Sequence, residues 1–245
     1  MKKVRLDILL SDKFPEHNLS RSRASALIMG GKVFVSGKAC LKSGSLVDPE
    51  ALIEIKETTP YVSRGGIKLK GALESFGLNV RGLRAIDIGA STGGFTDCLL
   101  KEGVDFVYCV DVGYGQLDYS LRNLKNIKNI EKTNIKNLGF EEIGERLDLA
   151  VCDTSFISLK KVLPFIPKFI KDGGLILALI KPQFETEDRK NLKKGIIKDE
   201  KAYNFIINDI TLSSEKIHLK TIGVKKSCLK GKKGNTEFFV LFVKK

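Results

Sequence analysis

Four charged side chains could together handle a proton: Lys68 in Ser63-Arg64-Gly65-Gly66-Ile67-Lys68-Leu69, Asp153 in Cys152-Asp153-Thr154-Ser155-Phe156-Ile157-Ser158-Leu159, Lys181 in Lys181-Pro182-Gln183-Phe184-Glu185, and Glu237 in Gly234-Asn235-Thr236-Glu237-Phe238. Asp153 and Lys181 each follow an apolar run that reads as a strand. An ionised group in such a place is costly unless it is paired or faces a wet cleft. Taken singly, each reads as a salt-bridged structural charge as readily as a reacting group. Other chemistries have little material. The chain has two histidines, His17 and His218, too few for a Ser-His-Asp triad or a multi-histidine metal site. Its five cysteines, Cys40, Cys98, Cys109, Cys152 and Cys228, are scattered and never spaced as C-x-x-C. That excludes a disulfide framework or a zinc knuckle, and no metal is expected. Acid-base work falls to Lys, Asp and Glu.

A second constellation is Ala85-Ile86-Asp87-Ile88-Gly89-Ala90-Ser91-Thr92-Gly93-Gly94-Phe95, an apolar strand running into a glycine-rich turn and then a helix. This geometry sets a ligand at the carboxyl edge of a sheet. With Asp111 at the end of the next strand, the turn suits either NAD or S-adenosylmethionine. The spacing is G-x-x-x-G-G, unlike the G-x-G-x-x-G that brings a helix N-terminus to a pyrophosphate, and S-adenosylmethionine has no phosphate to cradle. Asp111 would accept both ribose hydroxyls. Asp87, an acid within an apolar strand, is either a helix cap or buried acceptor, or a group near the methionine ammonium.

The elements that must position these groups follow from pattern. With 245 residues, 42% hydrophobic and 29% charged, there is material for a sizeable core in one large or two smaller domains. Residues 1–57 read as helices at 5–13 and 20–30, then strands at 32–36 and 52–55, with glycines at 30, 31, 37 and 44 marking turns. Beyond Pro60 strands alternate with helices, the pattern of an α/β domain with a mostly parallel sheet. Strands are predicted at Arg84–Ile88, Phe106–Val110, 129–132, Leu147–Cys152 and 175–180, with a final edge hairpin at 219–224 and 237–243. The expected domains are 1–57, a linker at 58–63, and 64–245.

Forty-two Lys plus Arg against 29 Asp plus Glu leave a formal charge of +13, which favours a polyanionic partner. In the first segment, Arg5-Leu6-Asp7-x-Leu9-Leu10, Ser20-Arg21-Ser22-Arg23-Ala24-x-Ala26-Leu27-Ile28 and Gly31-x-Val33-x-Val35-x-Gly37 resemble the alpha-L RNA-binding domain named after ribosomal protein S4. Ser20 is a good N-cap, and Arg21 and Arg23 in the first turn can meet phosphates. Arg5, Lys32 and Lys42 extend that basic face. Such a domain is expected to read RNA shape and phosphate more than base edges. Farther on, Lys230, Lys232 and Lys233 sit just before Glu237, as a solvated loop or as a phosphate grip. Arg64, near the domain junction, joins this RNA-facing set.

Read together, the four charged positions resemble the Lys-Asp-Lys-Glu set of the FtsJ-type ribose 2′-O-methyltransferases. With S-R-G-G-x-K-L, G-A-S-T-G-G-F-T-D, D-T-S-F-I-S-L and K-P-Q-F-E, the chain is similar nearly end to end to the TlyA group of ribosomal RNA methyltransferases. The resemblance implies a Rossmann-like S-adenosylmethionine-dependent α/β sheet with a small α+β S4-like domain. It implies methyl transfer to a ribose 2′-hydroxyl, of cytidine, in ribosomal RNA or ribosomal subunits. The implied cofactor contacts are Asp87, Gly89, Ala90, Ser91, Thr92, Gly93, Gly94, Phe95, Asp111, Val112, Asn134 and Asp153.

The implied roles are Lys181 as base or as the group steering the hydroxyl lone pair, Asp153 and Lys68 positioning it, and Glu237 holding the second amine. Two ammonium groups in one cleft would lower at least one lysine pKa by repulsion, while the carboxylates oppose that shift. Departures from the group's pattern are Cys228 where proline is expected, and Ile196 and Lys198 where glycine and arginine are usual. A membrane-lytic protein, a name some members of the group carry, and a non-catalytic RNA-binding assembly factor are the alternatives. The N-terminus lacks the apolar run of a secretory signal, and the best apolar stretch, 173–180, is too short to span a bilayer. A cytoplasmic protein with no stable membrane association and no obligatory protein partner is expected.

Overall fold

The computed structural model describes residues 3–14, 19–29, 31–55, 60–186, 192–193, 195–197 and 199–245. His17, Gly30, residues 58 and 59 of the expected linker, and Lys194 and Lys198 lie outside the described residues. The chain divides into two compact units, Met1–Pro60 and Tyr61–Lys245.

The smaller unit contains β1 (Val4–Arg5), α1 (Leu6–Lys13), α2 (Arg21–Met29), β2 (Val33–Val35), β3 (Lys38–Ala39), β4 (Leu46–Val47) and β5 (Ile53–Ile55). Leu6, Leu9 and Leu10 of α1 pack with Ala24 and Ile28 of α2 and with Val33 and Ile53 of the β3-β2-β5 sheet. Ser20 caps α2, its Oγ accepting from Arg23 N at 3.3 Å.

The larger unit begins on Tyr61–Ser63, which the sequence assigned to a linker. Here the Tyr61 ring lies where a Cβ on Gly66 would fall, and Val62 N donates to Asp97 Oδ2 at 2.8 Å. Then follow α3 (Arg64–Phe76), β6 (Arg84–Ile88), α4 (Gly94–Lys101), β7 (Phe106–Val110), α5 (Tyr119–Arg122), β8 (Ile127–Ile130), α6 (Phe140–Ile143) and β9 (Leu147–Cys152). Three 3-10 turns between 159 and 169 connect to β10 (Ile170–Ile180). The chain closes with α7 (Pro182–Glu185), β11 (Leu192–Lys193), β12 (Ile196–Ile197), α8 (Glu200–Glu215), β13 (Leu219–Lys226) and β14 (Phe238–Lys244).

The seven-stranded sheet has the order β13-β14-β10-β9-β6-β7-β8. From β10 to β8 it is parallel, and β14 runs antiparallel between β10 and β13. Period-2 alternation divides the core between its faces. Ile86, Ile88, Ala150, Cys152, Ile176 and Ala178 face α8 and the 3-10 turns, whereas Ala85, Val107, Leu149, Val151, Leu177 and Leu179 face α3 and α4. Two strands depart from expectation. β8 lies at Ile127–Ile130 and not 129–132, because its ladder stops at the Val110–Ile130 pair where β7 ends, and Lys132 beyond it turns left-handed at φ 53°. β10 starts at Ile170 and not 175, carrying a register irregularity between Ile170 and Leu175 that Gly173, at φ 76°, accommodates. Chain order reverses between β6 and β9, which opens a crevice at their carboxyl ends.

Candidate active site

The glycine turn leaves β6 at this crevice. Gly89 has φ 81°, and a Cβ there would lie 2.8 Å from the Asp153 carbonyl oxygen, so only glycine lets the two strand ends approach. Ser91 is also left-handed, at φ 49°, and its amide donates to Asp111 Oδ2 at 2.8 Å. Asp111 Oδ1 accepts from Gly113 N at 2.7 Å. The carboxylate at the end of β7 thus ties the turn in place, and each oxygen keeps a lone pair for a further donor.

Each of the four charged groups reaches the same cavity from a different element. Ser63 caps α3 through Gly65 N at 3.2 Å, and one turn later Lys68 points inward, 8% exposed. Its Nζ meets Glu237 Oε2 at 2.5 Å, Glu237 being 3% exposed at the entrance to β14. Asp153 leaves β9 and Lys181 leaves β10, adjacent parallel strands. Lys181 Nζ lies 2.6 Å from Asp153 Oδ1 and donates to Ser155 Oγ at 2.7 Å. Asp153 Oδ1 itself makes no aligned hydrogen bond among the described residues, so that contact is an ion pair. All four side chains line one cavity of about 620 Å³, together with Gly89, Ala90, Ser91, Thr92, Gly94 and Phe95 of the glycine turn.

Asp87 is elsewhere. Its position in β6 turns it toward α4, where it is fully buried and accepts from Thr96 N at 3.0 Å and Thr96 Oγ1 at 2.7 Å. Of its two sequence readings, helix cap and buried acceptor describes the geometry, and it is not among the residues lining the cavity. Burial pushes its carboxyl up to about 7, against the Thr96 hydrogen bonds and with help from the negative charges of Asp153 and Asp111. Gly93, Asp111, Val112 and Asn134 also lie off the cavity wall. Gly93 starts α4 at φ 89°, Val112 is an exposed side chain, and Asn134 Oδ1 accepts from Lys136 N.

Asp111 and Asp153 place negative charge at the turn, and buried Asp87 beneath it has an oxygen, Oδ1, with no hydrogen-bond partner among the described residues. With a carboxylate able to accept a diol, the turn fits a nucleoside carrying a positively charged tail.

Several wall residues escaped the sequence reading. Phe156, three positions after Asp153, is 91% exposed and held at φ 64°. Its ring stands 5.1 Å from that of Phe184, three positions after Lys181. A left-handed bulky residue costs on the order of 1–3 kcal/mol and persists where its surroundings over-determine it. Asn235, buried, accepts from Ile197 N at 3.1 Å and donates to Gly195 O at 2.8 Å. The repeated Phe offset in D-T-S-F and K-P-Q-F was the available signal.

Of the cations singled out for RNA, Lys232 and Lys233 are exposed on the cavity wall. Arg64 lines it too, and its guanidinium donates to the Lys230 carbonyl at 2.8 Å. Cys228, the departure from proline, donates its thiol to Ile67 O at 3.5 Å and sits against Gly71, so the lysine-rich loop is fastened to α3 at two points. In the smaller unit Arg5 makes a bidentate pair with buried Asp7 at 3.0 and 2.9 Å, and Arg21 Nε joins the same carboxylate at 3.3 Å. Hydrogen bonding from Arg5 leads in lowering Asp7 to about 2. Lys42 is exposed, and Arg23 and Lys32 are half-buried.

Residues 61–244 match the family model described as FtsJ-like methyltransferase. The chain is 41% identical to a 16S/23S rRNA (cytidine-2′-O)-methyltransferase, TlyA, of Mycobacterium tuberculosis, over 90% of this chain and 83% of that one. A solved structure of a proposed hemolysin from Streptococcus thermophilus superposes with TM-score 0.76 at 35% identity, covering 100% of this chain and 89% of that chain. A proposed S-adenosylmethionine-dependent methyltransferase from Listeria monocytogenes, at 10% identity and TM-score 0.55 over 75% of this chain and 100% of that one, shares the fold.

Proposed function

The chain belongs to the FtsJ-like methyltransferase family, and from that premise we propose that it transfers a methyl group from S-adenosylmethionine to a ribose 2′-hydroxyl of ribosomal RNA, on cytidine. The observation that carries this reading is the convergence of two ion pairs, Lys68–Glu237 and Lys181–Asp153, on one cavity walled by the glycine turn.

S-adenosylmethionine, when bound, supplies a sulfonium-activated methyl group. Ala90, Ser91, Thr92 and Phe95 would hold it, Asp111 would accept its ribose hydroxyls, and Asp153 would offset its positive charge. What is left for the protein is to orient a weak nucleophile and remove its proton. Lys181 steers the hydroxyl lone pair and, once its own ammonium proton has passed to solvent, takes the hydroxyl proton. Asp153 and Ser155 fix its Nζ and stabilise the ammonium that results. Lys68, held by Glu237, presents the second positive group beside the reacting oxygen. Phe156 and Phe184 give a nucleobase an aromatic face to stack on, so that its ribose enters the cavity.

The RNA would be gripped by Arg64, Lys230, Lys232 and Lys233 near the cavity. A second grip would come from the S4-like region, 1–57, ahead of the catalytic part, which begins at Tyr61. There Asp7 holds Arg5 and Arg21 as a pre-set fork. Arg23, Lys32 and Lys42 complete that face. Work on ribosomal RNA puts the protein in the cytoplasm. A membrane-lytic role would leave both ion pairs of the cavity without work, and no helix among the described residues is long and apolar enough to cross a membrane. The test is transfer of labelled methyl from S-adenosylmethionine to ribosomal subunits, with the product mapped as a nucleotide resistant to alkaline cleavage. Label on a base would refute the ribose assignment.

A further inference from the structure

Beyond the four charged groups, a fifth carboxylate joins the loops that carry two of them. Glu185 ends α7, four positions after Lys181, and does not line the cavity. Its Oε2 accepts from Ser158 Oγ at 2.6 Å and its Oε1 from Leu159 N at 2.8 Å. Ser158 is itself the N-cap of the 3-10 turn that ends the loop leaving β9, its Oγ accepting from Lys160 N at 3.3 Å. Burial raises the Glu185 carboxyl, while the Leu159 and Ser158 hydrogen bonds pull it down. Lys160 faces it from the 3-10 turn and Asp209 from α8, and these two pair with each other.

The consequence is a closed ring of chain. Two segments leave adjacent parallel strands, 153–158 from β9 and 181–185 from β10. The sheet fastens them at one end, and Glu185 at the other. Inside the ring lie the Lys181–Asp153 pair, the Lys181–Ser155 bond and the Phe156–Phe184 contact. Left-handed Phe156 needs such over-determination to hold its ring outward.

We infer that Glu185 is a positioning residue which, by clamping Ser158 and Leu159, sets the spacing of the Lys181–Asp153 pair and the pose of Phe156. This rests on the proposed roles of Lys181 and Asp153 in methyl transfer. It also accounts for the joint presence of D-T-S-F-I-S-L and K-P-Q-F-E, since the serine of one string and the glutamate of the other are bonded.

The experiment compares Glu185→Ala, Glu185→Gln and Ser158→Ala in the full-length protein. It reads single-turnover methylation of ribosomal subunits, KM for the subunits, Kd for S-adenosylmethionine and hydrogen exchange at the Leu159 amide. Glu185→Ala should slow the single-turnover step by about tenfold or more, the scale expected when a reacting group is misplaced, and raise KM for the subunits in the direction expected of Phe156→Ala, with Kd for S-adenosylmethionine within about twofold of wild type. Leu159 should lose protection. Glu185→Gln retains an amide oxygen as acceptor and should recover most of the rate. Ser158→Ala should cost less than Glu185→Ala, and the double variant should cost less than the two losses multiplied.

A wild-type rate in Glu185→Ala would overturn the inference, as would a Gln variant no faster than the Ala variant, or losses that multiply. If Glu185→Ala does not fold, Glu185→Gln and Ser158→Ala decide alone: unprotected Leu159 with a full rate, or a reduced rate with Leu159 fully protected, would overturn it. Failure of the proposed function looks different. The wild-type protein would then methylate no ribose, while exchange at Leu159 would still report on the clamp.

Discussion

Lys68 Nζ and Glu237 Oε2, 169 positions apart in the chain, stand 2.5 Å from each other with both side chains nearly closed to solvent. One comes from the helix that opens the larger unit and the other from the residue just before its last strand, so the pair also bolts the ends of that unit together. Removing one partner strands the other as a buried charge. Glu237→Ala should lower unfolding free energy by about 3–5 kcal/mol, read as a shift in urea midpoint. The apolar double variant Lys68→Met with Glu237→Leu should recover most of that stability while staying inactive. A single variant as stable as wild type would contradict the burial argument.

Phe156 is an exposed aromatic ring in a strained conformation, which a stability role does not require. As a stacking surface it would contribute about 1–3 kcal/mol to RNA binding. Phe156→Ala should therefore raise KM for the RNA substrate between about fivefold and 150-fold, with Kd for S-adenosylmethionine unchanged. An unaltered KM would remove stacking from the account.

Asp87 gives a pH dependence whose sign is determined. Its carboxyl lies at about 7 in the folded protein against an ordinary 3.8. Between those values the folded state keeps a proton that the unfolded chain releases, so this group's contribution is full below pH 4 and is lost as pH rises through 7. Asp87→Asn, which keeps an oxygen for Thr96, should lack that loss. Its melting temperature relative to wild type should climb from pH 4 to pH 8, by the equivalent of up to ~4 kcal/mol at 1.36 kcal/mol per unit. A constant difference across that range would show that Asp87 is ionised throughout.

Lys232 and Lys233 line the cavity with free side-chain exposure. If both meet phosphates, replacing them with serine should reduce the slope of log Kd against log salt for RNA by about 1.4–1.8, the release of roughly two counterions. A slope equal to that of wild type would make the segment a solvated loop.

Much of this was legible in the sequence because strand and turn signals are local. Arg84–Ile88, Phe106–Val110 and Leu147–Cys152 were readable residue by residue, since each is an apolar run buried on both faces. Strand β8 was misplaced because it is short, half-exposed and followed by a left-handed Lys132 that nothing in composition announces. The four charged positions were visible as motif residues, and the implied roles already set Asp153 on Lys181 and Glu237 on the second amine; what pattern could not show is that Lys68 bonds to Glu237 and Lys181 to Asp153 and Ser155, because such contacts depend on which strands are neighbours. Asp87 shows the same limit: strand parity turns it toward α4, and parity alone does not say which face holds the cavity. Glu185 stayed unread since its partners sit 26 and 27 positions earlier, across a crossover.

Lys181 carries the most direct test. Ribosomal subunits would be incubated with methyl-labelled S-adenosylmethionine and either wild-type protein or Lys181→Ala, in single turnover, with cofactor affinity measured in parallel. Wild type should place the label on a ribose 2′-oxygen, and the variant should be slower by about 10²–10⁴, the usual contribution of a positioned base, while binding the cofactor as well as wild type. Undiminished transfer by the variant, or label on a base from the wild-type protein, would contradict the assignment.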